Sequence, residues 1–309
     1  MQALFYQFLV FISQRWSIVF FILFSKLIAA GYFFLFPYRV SVSVHFYRSV
    51  FPKRSDWFYL WCTWKQYQHF TSVFLDRFLI MRHIRYTSQG KKALEDALID
   101  KTGAIILMSH LGNWEVAAQL LNHSLLKDKT IPMLLYMGKQ HHEQIEQIQK
   151  LDLIQSNIQI VDIDPNDSSP FNIIDGLHVL KSGGIVSLTG DMVWHEDQRT
   201  ICVEFLGHEV VLPQTPYILA LLSGSPLFLF FTFKKGNHFY QFILTKPIHL
   251  RVLNRKARAD IIRKSAQQYA DYLKQMLLQH PFEWYHFKPF LGKKIVTKGD
   301  ILSNDEGRN

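Results

Sequence analysis

Cysteine is almost absent: Cys62 and Cys202 are the only two in 309 residues. Two thiols build neither a disulfide framework nor a four-ligand zinc site, so a reduced, cytoplasm-facing domain is the economical expectation. Nucleic acid, a usual partner of a basic chain, lacks its signs here: there is no zinc-ligand spacing, no RNA-recognition signature and no lysine-rich tail. Ser109 has no G-x-S-x-G elbow around it, which removes the serine hydrolases. No internal repeat is visible, which excludes solenoids. Acidic residues are also in deficit. With 25 Asp+Glu against 34 Lys+Arg the net charge is +9, which favours an anionic lipid surface, a phosphorylated substrate or an acidic protein as partner.

What is present is apolar: 49% of residues are hydrophobic, enough for one large core or two modest ones. The stretch WSIVFFILFSKLIAAGYFFLF (16–36) is about long enough to span a bilayer, with Lys26 near its middle. A mid-bilayer lysine costs roughly 3 kcal/mol, so a span competes with a tilted interfacial helix and with a buried core helix. Arg39, Arg48, Lys53 and Arg54 follow the stretch and Arg15 precedes it, so a span would leave the bulk of the chain in the cytoplasm. A cleaved signal peptide fits poorly. The expected organisation is a membrane-associating segment over 1–38, a catalytic domain over 39–292 and a polar, disordered tail over 293–309.

Within the domain, periodicity predicts a long aromatic helix over 57–80 and a second over 90–100. A buried strand follows over 103–109, then a helix over 116–126, a strand over 130–137, a helix over 141–151 and a strand over 158–163. NIIDGLHVLKSG reads as a helix stopped by Gly183 and Gly184, and GIVSLTGD (184–191) repeats the pattern of an apolar run ending in polar residues. A helix over 215–224 and a hairpin turning at Gly236-Asn237 complete it. This alternation predicts an α/β fold with a mixed central sheet flanked by helices, whose active groups gather at the strands' carboxyl ends.

Two polar clusters sit at such ends. His110 follows one strand, Gly112 permits a tight turn, Asn113 is a helix N-cap and Glu115 falls in the next first turn. An imidazole held by a carboxylate is a general base; equally, Glu115 could complement the helix dipole while His110 merely ends a strand. Asp191 ends the second strand and should line a pocket or hold an arginine. HHE (141–143) has metal-ligand residue types, but consecutive helical side chains do not face one site. DIDPND (162–167) contains a D-x-D, which would suit a metal-dependent glycosyltransferase through Asp162 and Asp164, yet Pro165 and its neighbours read as a loop.

SHLGNWE resembles the HX4E form of the HX4D/E motif of glycerolipid acyltransferases, and its wording is close to the late acyltransferases of lipid A biosynthesis. GGIVSLTGDMVWHEDQR is similar to that family's second block, without its usual D-Q-D form. VEFLGHEVVLPQTPYILALLSGSPLFLFF and HPFEWYHF resemble the elements that follow, so the likeness covers roughly residues 40–290. The resemblance implies transfer of an acyl chain from an acyl-carrier-protein or acyl-CoA thioester to a hydroxyl of a lipid A precursor or related glycolipid, at the cytoplasmic face of a bacterial inner membrane. It implies His110 as base with Glu115 orienting it, substrate contacts from Gly112, Asn113, Trp114, Asp191 and Arg199, and neither metal nor cofactor. Backbone N–H groups after Gly112, or Arg199, would hold the oxyanion, and Arg199 could instead clamp a phosphate. The basic RVLNRKARADIIRK (251–264) would meet the acidic carrier protein or anionic headgroups. Polyene, ornithine-lipid and phospholipid acceptors remain alternatives, as does a non-catalytic membrane-bound binding role.

Overall fold

The computed structural model of the chain describes residues 18–79, 85–114, 116, 131–138, 158–163, 171–194, 197–236, 239–251 and 255–295. Helix α1 (Ile18–Leu35) and helix α2 (Pro37–Val50) meet at Phe36, and the axes of Leu23–Leu35 and Pro37–Val50 differ by 91°. Proline is the cause. It disfavours helical geometry in the residue before it, and Phe36 lies at φ −120° and ψ 66°, while Pro37 itself suits the first turn of a new helix. The apolar stretch 16–36 is therefore one arm of an elbow, with Lys26 exposed. Among the described residues no single helix is long and apolar enough to cross a membrane; the bent pair passes only when taken together. That corrects the expectation of one continuous span; the helix expected over the apolar stretch is present as α1.

Helix α3 (Asp56–Leu79) packs across both arms, where Ala29, Val40 and Tyr67 form a small core with Phe33, Val44 and Leu60 around them. Helix α2 runs through the boundary drawn at 38, because its Phe46, Tyr47 and Val50 enter the main core.

That core is built on seven strands: β1 (Arg85–Gln89), β2 (Ala104–Met108), β3 (Met133–Gly138), β4 (Ile158–Ile163), β5 (Ile185–Thr189), β8 (Leu227–Gly236) and β9 (Phe239–Leu244). A separate hairpin holds β6 (Thr200–Phe205) and β7 (His208–Pro213). The sheet order is β1-β9-β8-β2-β5-β3-β4, and every pairing is parallel except β8 with β9. Successive residues of a strand face opposite sides, and here both sides are covered. Ile105, Leu107, Val186, Leu188, Leu229 and Phe231 enter one core, and Ala104, Ile106, Met108, Ile185, Phe228 and Phe230 the other. Double burial is why β2 reads as an unbroken apolar run and why β5 is apolar but for Ser187 and Thr189. Helices α5 (Phe171–Lys181), α6 (Thr215–Ser223) and α7 (Arg258–Gln279) contribute to the first core, and α4 (Lys91–Ile99) to the second.

The expected α/β sheet with flanking helices is thus present. The expected helices over 117–126 and 141–151, the loop carrying Asp164, the turn residue Asn237 and the tail from 296 lie outside the described residues. The edge strand β1 and helices α2 and α7 had no clear reading in the sequence.

Candidate active site

Strands β2 and β5 are parallel neighbours, with Ala104 opposite Ile185 and Met108 opposite Thr189. Two residues beyond each strand end, that register brings His110 level with Asp191. The backbone N–H of His110 donates to Asp191 Oδ2 at 2.6 Å, and His110 Nδ1 lies 2.9 Å from Asp191 Oδ1. A carboxylate only accepts, so Nδ1 carries the hydrogen and Nε2 keeps its lone pair. The Asp191 side chain is fully buried, whereas that of His110 keeps 21% of its surface exposed.

Burial by itself pushes the His110 imidazolium down, but the charge and hydrogen bond of Asp191 outweigh it, and the ring ends above the ordinary histidine value. Burial likewise pushes the Asp191 carboxyl up, and the charge and hydrogen bonds of His110, with His286 adding to them, hold it below its usual range. Asp191, expected to line a pocket or hold an arginine, instead clamps the histidine.

The loop after His110 is fastened from two sides. Gly112 donates its N–H to the Glu283 carbonyl at 2.8 Å, Asn113 donates to the Thr232 carbonyl at 2.8 Å, and Tyr285 donates to the His110 carbonyl at 2.8 Å. Gly112 has φ +82°, and a Cβ there would sit 2.2 Å from the Thr232 oxygen, so no other residue fits. Asn113 Oδ1 accepts from the Val116 N–H at 3.2 Å, as an N-cap should. Its Nδ2 is buried without a partner among the described residues. Trp114, half-buried, packs against the second core.

Two expectations change here. The Gly112 and Asn113 N–H groups are committed to carbonyls, which narrows the backbone donors expected after Gly112 to those beyond Asn113. Arg199 is exposed, its carbonyl accepting from Gln214, and no ion pair joins it to His110 or Asp191 among the described residues. Glu115, expected to orient His110, lies outside the described residues, and the carboxylate that holds the His110 ring among the described residues is Asp191.

His286 had not been singled out. Its ring meets that of His110 edge to face with centroids 5.1 Å apart, and its Nδ1–H donates to the Lys288 carbonyl at 3.1 Å. Burial, then the neighbouring His110, push its pKa down to about 4, so it is neutral beside the His110–Asp191 pair. Beneath, Trp284 stacks on Phe46 and its carbonyl accepts from Gln66 Nε2. The aromatic block HPFEWYHF was the available signal. Among the described residues no group of three or more His, Cys, Asp or Glu is placed to hold a metal. Both thiols are free, and burial pushes that of Cys62 up to about 11.

No curated protein matches the chain. Residues 77–291, which include both strand ends and the Glu283–His286 segment, match the family described as bacterial lipid A biosynthesis acyltransferase. That match decides for acyl transfer over the glycosyltransferase alternative at Asp162 and Asp164. The chain belongs to the bacterial lipid A biosynthesis acyltransferase family.

Proposed function

We propose that the protein transfers a fatty acyl chain from an acyl-carrier-protein thioester to a hydroxyl of a lipid A precursor, with His110 as general base. The observation that carries this reading is the Nδ1 clamp on Asp191, which leaves Nε2 free on the partly exposed side chain. As the acceptor oxygen attacks the thioester carbonyl, its proton passes to Nε2. The tetrahedral intermediate then collapses, the C–S bond breaks, and the departing thiolate takes that proton back, so no covalent enzyme intermediate is needed. The imidazolium formed in between is stabilised by the buried Asp191 carboxylate. The Trp114 N–H, first of the following helix, and Asn113 Nδ2, buried without a partner among the described residues, would meet the oxyanion. Glu115 would act alongside Asp191 from the start of that helix, and Arg199 would serve as a phosphate contact.

The elbow of α1 and α2 would lie in the cytoplasmic leaflet of the inner membrane. Leu27, Phe34, Leu35 and Tyr38 are exposed on it, and so are Trp57 and Trp61 on α3. Arg39, Arg54 and Lys65 sit over Phe36, Phe58 and Trp61, the mix of cation and aromatic that suits an interface.

Mass spectrometry of lipids from membranes containing the protein, incubated with acyl-carrier-protein donors and a lipid A precursor, tests the reading. One added acyl group with wild type and none with His110→Ala supports it. Turnover retained by His110→Ala sinks the base assignment, and acylation of a different lipid redirects the acceptor.

A further inference from the structure

A cavity of about 210 Å³ opens between α2 and residues 286–291, with Ser41, His45, His286 and Lys288 as its polar wall and Phe46 and Phe290 among its apolar ones. We infer that this cavity is a subsite for a phosphate ester, bound chiefly by Lys288 and His45 and linked to the catalytic pair through the ring of His286. The identity of the ligand as a substrate group rests on the acyltransfer reading above; the anion site itself does not.

Charge is the first argument. No acidic residue lines the cavity, and among the described residues no carboxylate pairs with Lys288. An ammonium so placed is a point charge suited to phosphate, and an imidazole N–H adds a directional donor. Ser41 and His45 stand four residues apart on α2, so both face the same side. Ser41 Oγ already donates to the Tyr38 carbonyl at 2.7 Å, which leaves its lone pairs for a hydroxyl next to the ester.

Size is the second argument. Pockets for drug-sized ligands begin near roughly 300 Å³, so this one takes a headgroup and not an acyl chain. Position is the third. His286 is 7% exposed, lines the cavity and packs its ring on His110, so an anion held here would lie one ring away from the base. Lys288 also bears on that pair electrostatically, its charge opposing protonation of both His110 and His286. Two sources carry a phosphate ester to this place: a phosphorylated glycolipid acceptor, or the phosphodiester arm of a carrier-protein donor.

The test uses the full-length, detergent-solubilised protein, with glycerol 3-phosphate as probe and glycerol as control, read by histidine ring NMR. Saturable shifts of the His45 and His286 signals with the phosphate alone, weakened about tenfold or more in Lys288→Gln at unchanged melting temperature, are the expected result. Absence of a saturable shift, or one that Lys288→Gln leaves unaltered, overturns the subsite. Steady-state kinetics of the same variant then distinguish the sources. A KM raised about tenfold for the phosphorylated acceptor alone assigns the cavity to the acceptor, and one raised for the carrier-protein donor alone assigns it to the donor. An unchanged KM for both overturns the substrate role. Phosphate binding without acyl transfer by the wild type would refute the proposed reaction and leave the anion site standing.

Discussion

Strands β2 and β5 are alike in pattern and opposites in use. GAIILMSH and GIVSLTGD each begin at a glycine, run apolar through the sheet and place a polar side chain at the same step, and they pair in register. Yet the Asp191 carboxylate is wholly buried while His110 keeps 21% of its side chain exposed. Equal geometry with unequal exposure separates the roles: the group that meets a substrate must be reachable, and the group that holds it gains strength from being dry.

The sharpest way to break this asymmetry is His110→Ala, which should lower acyl transfer by about 10³- to 10⁴-fold in a lipid mass assay while leaving the melting temperature within a few degrees. Asp191→Asn should cost roughly 10²- to 10³-fold, and its signature is the pH profile. Since Asp191 raises the His110 pKa, the wild-type rate should climb with pH through a limb above about 6.5, and the variant's limb should move lower. Glu115→Gln provides the contrast: a loss of kcat with the limb unmoved would make Asp191 the residue that sets the base's pKa.

Gly112→Ala tests the loop between the two ends. Its methyl would collide with the Thr232 carbonyl in a left-handed conformation, so about 1–3 kcal/mol of stability should be lost in denaturant melts, with activity falling further than stability.

The effect that shows only at low pH is a balance of pH dependences. His286 has its pKa pushed down to about 4, so the folded state refuses a proton that the unfolded chain accepts, and this group loses stability as pH falls from about 6.5 to 4, on the order of 3 kcal/mol. The raised pKa of His110 acts oppositely: its stabilisation is full below about 6.5 and fades as pH rises through the folded value. Thermal melts of His286→Phe should therefore be flatter between pH 6.5 and 4 than those of wild type.

Much of this was legible in the residues. The strands whose two faces are buried gave largely apolar runs, and the expected hairpin is β8 with β9. His110 stood out because an imidazole at a strand end needs an explanation. Its partner did not, since adjacent positions on one turn favour Glu115, whereas the clamp by Asp191 depends on which strands are neighbours. The matched spacing of the two strands was the available clue, usable only once they are placed side by side. The elbow at Phe36 was hidden differently: the apolar run stops before Pro37, and what turns the chain is the restriction proline places on the backbone of the residue before it.

The hydrogen bond from Tyr285 to the His110 carbonyl has a temporal meaning. At roughly 5–20 residues per second of synthesis, on the order of ten to thirty seconds separate the emergence of the two partners from the ribosome. Until the later one arrives, the strand that carries the histidine lacks the neighbour that pins its loop. The nascent chain is thus an unarmed enzyme until Tyr285 has emerged to close that bond.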